Sequence, residues 1–165
     1  MLVLGIDPGT ASTGYGLVFE EADGTLVEQE YGLISTAAGN EMASRLLLLY
    51  RSLQEVLART SPDAAAVEKV FFQRNVTSAI SVGQARGVIL LALAEAGVPV
   101  DEYTPNEIKL AVAGYGGADK RQMQTMVRAL LQMQETPKPD DAADALAVAI
   151  CHCHSRKMRK LGEQA

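Results

Sequence analysis

Four acidic side chains occupy positions from which a folded chain could direct them to one point. Asp7 follows the apolar run 2–6, and Glu68 follows another short apolar run. Asp141 and Asp144 are three residues apart at the start of an alanine-rich stretch that predicts a helix, so they share one helix face. Carboxylate oxygens are the ligands that Mg²⁺ and Mn²⁺ prefer. The pattern therefore predicts a divalent-cation site, since such a cluster of like charges needs a cation.

Each of these acids also has a structural interpretation. Asp7 precedes a Pro-Gly pair and could make a turn, Glu68 could be an exposed strand end, and Asp141 could cap the helix. For one such residue taken alone, the structural interpretation is the more common one. The metal hypothesis therefore depends on the four acids together.

The elements that would position the acids begin with strands. Strands are predicted over 2–6, 14–20 and 26–35, with an Asp-Gly turn between the second and the third, which indicates an antiparallel meander. Apolar residues at helical spacing predict a helix over 42–57. A short apolar strand then ends at Glu68.

The second half of the chain alternates helix and strand. A long helix is predicted over 78–96 and is stopped by Gly97, and a strand follows over 98–103. Two further helices complete the pattern, and the last begins near Pro139 and Asp140. The order places the acids at two strand ends and one helix start.

The composition predicts one soluble cytoplasmic domain. The chain has 165 residues, of which 48% are hydrophobic, and this suits a single domain over residues 1–165 with a buried core. We find no apolar run long enough for a membrane span and no targeting signal. Cys151 and Cys153 point in different directions on a predicted helix, which argues against a mutual disulfide and fits a reducing compartment.

The charge distribution bears on nucleic acid binding. A net charge of −5 argues at first against DNA, because phosphate neutralisation dominates such binding. The first 62 residues are strongly acidic, however, whereas bases outnumber acids from residue 106 onward. One face could therefore be basic. The basic tail over residues 156–165 is interpreted as a solvated terminus.

Several motifs, in this order, carry a resemblance to a known family. They are Gly-Ile-Asp-Pro-Gly-Thr at 5–10, Glu-Lys-Val-Phe at 68–71, Gly-Gln-Ala-Arg-Gly at 83–87, Asp-Ala-Ala-Asp-Ala-Leu-Ala at 141–147 and Cys-His-Cys-His at 151–154. With these motifs the chain resembles the RuvC-type Holliday-junction resolvases over nearly its whole length. The resemblance implies an α/β ribonuclease H-like fold, with a mixed five-stranded sheet flanked by helices.

The resemblance also implies an activity, that of a crossover junction endodeoxyribonuclease in recombination and DNA repair. The resemblance implies that the protein is a homodimer that resolves four-way DNA junctions by symmetric paired nicks. Branch-migration proteins of the RuvA and RuvB type are expected as partners. Asp7, Glu68, Asp141 and Asp144 would be catalytic and would hold two Mg²⁺ ions per subunit, roughly 4 Å apart, with Mn²⁺ able to substitute. Asp140 aligns less well than Asp141 and is interpreted as a cap or an outer acid.

DNA-binding residues follow from the resemblance as well. Lys109 and Lys120 are expected to bind phosphate, with Arg121 beside Lys120 and Arg74 in an earlier loop. Lys120 and Arg121 follow a glycine-rich loop, where backbone amides at a helix start would favour a phosphate. Without the resemblance, lysine and arginine residues at such positions are more often solvated side chains of a helix surface.

The aromatic pair Phe71 and Phe72 directly follows the Glu68 segment. On an extended segment, one side chain of such a pair points inward and the other outward. The resemblance gives Phe71 the exposed role of stacking on an unpaired base, while Phe72 could be core or a second wedge. His152 and His154 are interpreted as part of a packed helix end, because the chain lacks the further cysteines and histidines of a zinc site.

Two alternative functions are open at this point. The segment 5–10 also resembles the first phosphate loop of actin-like kinases and ATPases, but those proteins need two lobes and a second glycine-rich loop, which we do not find. The other alternative is a catalytically inactive junction-binding module. All four acids are present, however, and a degenerate nuclease is expected to have lost at least one.

Overall fold

The structure is a computed structural model and describes residues 1–69 and 76–162. The predicted order of strands and helices is confirmed up to residue 103, with small shifts at the boundaries, but three helices follow over residues 104–162 where the sequence predicted two. In chain order the elements are β1 Leu2–Asp7, β2 Ser12–Glu20, β3 Leu26–Ser35, α1 Met42–Thr60, β4 Ala64–Glu68, α2 Val76–Glu95, β5 Val100–Tyr103, α3 Pro105–Ala113, α4 Lys120–Leu130 and α5 Asp140–Gly162.

The predicted mixed five-stranded sheet is confirmed, with strand order β3-β2-β1-β4-β5. The first three strands form an antiparallel meander, whereas β4 pairs parallel with both β1 and β5. Because β1 and β4 are parallel neighbours, their carboxyl ends meet at one edge of the sheet. Ile6 pairs with Val67, so Asp7 and Glu68 follow in adjacent positions.

The sheet separates two apolar layers. Leu4 and Ile6 face the side covered by α1 and α2, whereas Val3 and Ala66 face the side covered by α3, α4 and α5. Strands β1 and β4 are buried on both faces, which explains why their sequences are continuous apolar runs. Across residues 1–69 and 76–162, no helix combines the length and the apolar content that a membrane span requires.

Helix α5 lies unusually close to the sheet, because β1 and β2 present glycines to it. A Cβ atom added at Gly14 would overlap the carbonyl group of Asp141, and one added at Gly5 would overlap that of Ala145. Gly14 is also the antiparallel partner of Asp7. The close approach therefore brings the first turn of α5 to the end of β1, where Asp7 lies.

Residues 151–154 of α5 are packed against the rest of the domain. Cys151 and Cys153 are buried and free, in agreement with the expectation of no mutual disulfide. His152 is also buried, and its Nδ1 atom lies 3.2 Å from the Tyr103 hydroxyl oxygen. Nδ1 of His154 lies 2.9 Å from the Ala111 carbonyl oxygen. These contacts fit the interpretation of a packed helix end.

Candidate metal and DNA site

The four acids converge at the carboxyl ends of β1 and β4. Asp7 ends β1, Glu68 ends β4, and Asp141 and Asp144 lie at the start of α5. Carboxylate oxygens of Asp7, Asp141 and Asp144 lie within 4.8 Å of one another. Glu68 completes the group, because its side chain shares a hydrogen bond with that of Asp7. All four side chains are partly buried.

The crowding of these carboxylates changes their ionisation. Burial, followed by the charges of Glu68, Asp144 and Asp141 in that order, raises the pKa of Asp7 to about 8. Burial also raises the pKa of Glu68 and of Asp144. Lys120 opposes the shift of the Asp144 pKa. The cluster is therefore unstable as a set of bare anions.

A divalent cation fits this cluster. Two partly buried carboxyl groups in hydrogen-bond contact, such as Asp7 and Glu68, need either a shared proton or a positive ion between them. The donor atoms are all carboxylate oxygens, the set that suits Mg²⁺ or Mn²⁺. Asp7, Glu68, Asp141 and Asp144 could hold such an ion, and their role as ligands stays a prediction.

A cavity of about 230 Å³ opens beside the acids. Glu68 and Asp144 line it together with Lys109 and Lys120, and the remaining wall is mainly apolar. The positive charge of Lys109 acts on Glu68 and lowers its pKa, against the larger effect of burial. Two bases therefore share a cavity with two of the acids. Such a cavity could admit a phosphate group beside a bound cation.

Lys120 is held by two acids of α5. Its Nζ atom lies 3.1 Å from Oδ2 of Asp140 and 3.6 Å from Oδ2 of Asp144. Gln124, one turn later on α4, donates a hydrogen bond of 2.8 Å from Nε2 to Oδ1 of Asp140. Sequence reasoning missed Gln124. The available signal was the i, i+4 spacing of Lys120 with Gln124 on one helix, matched by that of Asp140 with Asp144 on the other.

Arg121 lies apart from the acid cavity. It lines a different surface depression, together with Tyr115 and Thr125. The start of α4 is also already capped, because Asp119 accepts a hydrogen bond of 2.8 Å from the backbone amide of Gln122. The backbone amide of Gln122, one of those predicted to bind a phosphate, is therefore already hydrogen-bonded within the protein.

Three predicted DNA contacts cannot be placed. Phe71, Phe72 and Arg74 lie outside the described residues, in the gap between β4 and α2. Their roles stay predictions. Lys109 and Lys120 are described and face the cavity beside the acids, as a phosphate-binding role requires.

The fold and the acids together define a class of protein. A mixed five-stranded sheet of order β3-β2-β1-β4-β5 with flanking helices is a ribonuclease H-like fold, and the solved structure of Thermus thermophilus RuvC shares it. A sequence profile described as "Crossover junction endodeoxyribonuclease RuvC" matches residues 3–152. The chain belongs to the RuvC family, a family of DNA endonucleases.

Individual relatives agree with this assignment. The chain is 59% identical over 155 residues to crossover junction endodeoxyribonuclease RuvC of Desulfitobacterium hafniense, with 94% of this chain and 93% of the relative covered. It is 54% identical over 165 residues to the RuvC of Syntrophomonas wolfei, covering 100% and 95%. The structure of Thermus thermophilus RuvC in complex with Holliday junction substrate matches with a TM-score of 0.91 and 39% identity, covering 96% of each chain.

The acid cluster makes the stability of the metal-free protein depend on pH. The folded-state pKa of Asp7 is raised from 3.8 to about 8, so between these values the folded chain keeps a proton that the unfolded chain has released. The stability that protonated Asp7 contributes to the folded chain is fully present below the pKa of the unfolded chain. It is lost as pH rises through the pKa of the folded chain. We expect Asp7→Asn to raise the melting temperature at pH 8 by several degrees, since about 1 kcal/mol corresponds to about 2–4 °C.

Thermal unfolding at pH 5 and pH 8 in chelator measures this effect. The difference between Asp7→Asn and the parent should be larger at pH 8, and added Mg²⁺ should stabilise the parent more than the variant. Asp63→Asn is the matched control, because Asp63 is exposed and bonds the backbone amide of Leu2 at the opposite end of β1. An equal difference at both pH values would contradict the ionisation of Asp7.

Proposed function

We propose that the protein is a structure-selective endonuclease that resolves four-way DNA junctions in the cytoplasm, in recombination and repair. The observation that carries this proposal is the convergence of four carboxylates at one edge of the sheet, in a chain of the RuvC family. The Thermus thermophilus relative is described with a Holliday junction substrate, which supports the choice of DNA.

Asp7, Glu68, Asp141 and Asp144 are proposed to hold two Mg²⁺ ions in each subunit, with Mn²⁺ as a substitute. When bound, such ions supply an activated water and stabilisation of the leaving oxygen in phosphodiester hydrolysis. The protein contributes the placement of the acids. Asp7 lies on a central strand and is in contact with Glu68, so small movements of its carboxylate are restricted.

Lys109 and Lys120 are proposed to neutralise the phosphate that enters the cavity. Both line it, and both lie close to carboxylates that would carry the metal. Arg74 and Arg121 are proposed as outer phosphate contacts. Phe71 and Phe72 are proposed to stack on bases at the branch point, a contact worth about 1–3 kcal/mol per base.

A homodimer through α2 is part of the proposal. Ile80 and Leu91 are each 61% exposed, and Gln84 and Gly87 lie between them on the same helix face. Nothing lies within 4 Å of a Cβ added at Gly87, although glycine inside a helix costs about 0.5–1 kcal/mol relative to alanine. Close approach of a second α2 helix explains a glycine there.

The apolar stretch 88–91 of α2 contributes only its last residue to this face. Ile89 is fully buried in the core between α2 and the sheet, and Val88 and Leu90 are partly buried against the same core. Leu91 keeps its place in the proposed interface. Partners of the RuvA and RuvB type stay a prediction.

Cleavage of a synthetic mobile junction tests the proposed function. With Mg²⁺ the protein should cut the junction at paired, symmetric positions, leave a linear duplex of the same sequence intact, and cut nothing in chelator. Junction binding without cleavage at any Mg²⁺ or Mn²⁺ concentration would support the inactive binding module instead. Equal cleavage of junction and duplex would overturn the structure selectivity.

A further inference from the structure

The first turns of α4 and α5 face each other through a pair of matched side chains. Lys120 and Gln124 are one turn apart on α4, and Asp140 and Asp144 are one turn apart on α5. Asp140 uses both of its carboxylate oxygens in this contact. Oδ1 accepts from Gln124 at 2.8 Å, and Oδ2 lies 3.1 Å from the Lys120 ammonium nitrogen.

The Lys120 ammonium group lies nearer to Asp140 than to Asp144, at 3.1 Å against 3.6 Å. Asp144 belongs to the carboxylate cluster and is more buried than Asp140, with side-chain exposures of 37% and 59%. Without the Asp140 charge, Asp144 is the acidic contact of Lys120 that remains among residues 1–69 and 76–162, so the ammonium group would move onto that carboxylate. A tethered ammonium there would compete with any divalent cation for the same oxygens.

We propose that Asp140, fixed by Gln124, is a positioning residue that holds the Lys120 ammonium group to the outer side of Asp144. This leaves Asp144 free to bind a divalent cation and keeps the ammonium group at the cavity, where a phosphate would enter. The inference rests on the proposed function, since it gives a role to a residue beside the proposed ligands.

Asp140 is not itself one of the clustered acids. The group of carboxylate oxygens within 4.8 Å of one another consists of Asp7, Asp141 and Asp144. Asp140 precedes Asp141 on α5 and directs its carboxylate towards α4 instead. It therefore acts on the metal site through Lys120.

Calorimetric titration of the metal-free protein with Mn²⁺, in the absence of DNA, measures the effect. We expect Asp140→Asn to weaken Mn²⁺ binding about 3–10-fold, because the ammonium group then shifts towards Asp144. Gln124→Ala should weaken it about 2–3-fold without changing any charge or any residue of α5. Glu135→Gln is the matched control for the lost charge, since Glu135 is an exposed acid on the loop before α5.

A double-mutant cycle separates positioning from simple loss of charge. In a Lys120→Ala background, Asp140→Asn should leave the Mn²⁺ affinity unchanged, because there is no ammonium group left to position. Weakening of the same size in both backgrounds would overturn the inference, as would parent-like Mn²⁺ binding by both Asp140→Asn and Gln124→Ala. Weakening by Glu135→Gln equal to that by Asp140→Asn would also overturn it.

Junction cleavage distinguishes failure of this inference from failure of the proposed function. Asp140→Asn should need several-fold more Mg²⁺ for half-maximal cleavage and should approach the parent rate within about 3-fold at saturating Mg²⁺. A parent that neither binds Mn²⁺ nor cuts junctions would overturn the proposed function. A parent that does both, with an Asp140→Asn variant that matches it at every Mg²⁺ concentration, would overturn the positioning role alone.

Discussion

Asp7→Asn is expected to lower the rate of junction cleavage by at least about 10³-fold, while junction binding is retained. A factor of 10³ corresponds to about 4 kcal/mol of lost transition-state stabilisation. Asp7 is the acid on which the other three charges act, so its replacement by a neutral amide disturbs the whole proposed metal site. Single-turnover cleavage at saturating protein measures the chemical step, and a gel-shift assay in chelator measures binding.

The related variants sharpen this test. Glu68→Gln, Asp141→Asn and Asp144→Asn should each lose cleavage in the same way, because each removes one charge from the group. Asp63→Asn makes the same chemical change outside the acid cluster, just before β4, and should cut at the parent rate. If Asp7→Asn nicks junctions at the parent rate, the assignment of the metal ligands is wrong. Loss of junction binding would instead indicate a folding defect.

Periodicity was sufficient to predict the five strands and the first two helices, but it gave two helices after residue 103, where the structure has three. The strands β1 and β4 are buried on both faces, so their sequences are short apolar runs that end at an acid. The meander was recognisable from its Asp-Gly turn. The arrangement of the sheet was not contained in these local patterns, and it was predicted because the motifs resemble a family with a known fold.

The convergence of the acids was predictable only in part from local patterns. Asp141 and Asp144 share a helix face whatever the tertiary structure is. Their approach to Asp7, however, depends on the glycines of β1 and β2 that admit α5. From the sequence, Gly14 is one residue of a predicted strand. The structure shows that its missing side chain leaves room for the backbone of Asp141.

The contact between α4 and α5 was not predictable from local patterns. Lys120 and Asp140 are far apart in sequence, and each belongs to a helix whose neighbour is set by core packing. Sequence reasoning therefore treated Lys120 as a phosphate contact and Asp140 as a cap or an outer acid. The structure adds that these residues contact each other and that Gln124 fixes the acid of the pair.

A mixed dimer of parent and Asp7→Asn chains is expected to nick one strand of a junction and rarely to resolve it. In a symmetric dimer, each subunit would place one carboxylate cluster at one of two strands related by the two-fold axis. With one cluster inactive, the second cut requires dissociation and rebinding in the opposite orientation. The yield of paired nicks should fall at least about 10-fold, while single nicks remain abundant.

Co-expression with two different affinity tags isolates the mixed dimer, and a supercoiled plasmid with an extruded cruciform reports the result. Paired cuts within one binding event linearise the plasmid, whereas a single cut leaves a nicked circle. The tagged parent homodimer is the control for effects of the tags. Efficient linearisation by the mixed dimer, or an active species that sediments as a monomer, would contradict one active site per strand. Either result would leave the assignment of the metal ligands intact, because that assignment depends on variants in which every chain carries the substitution.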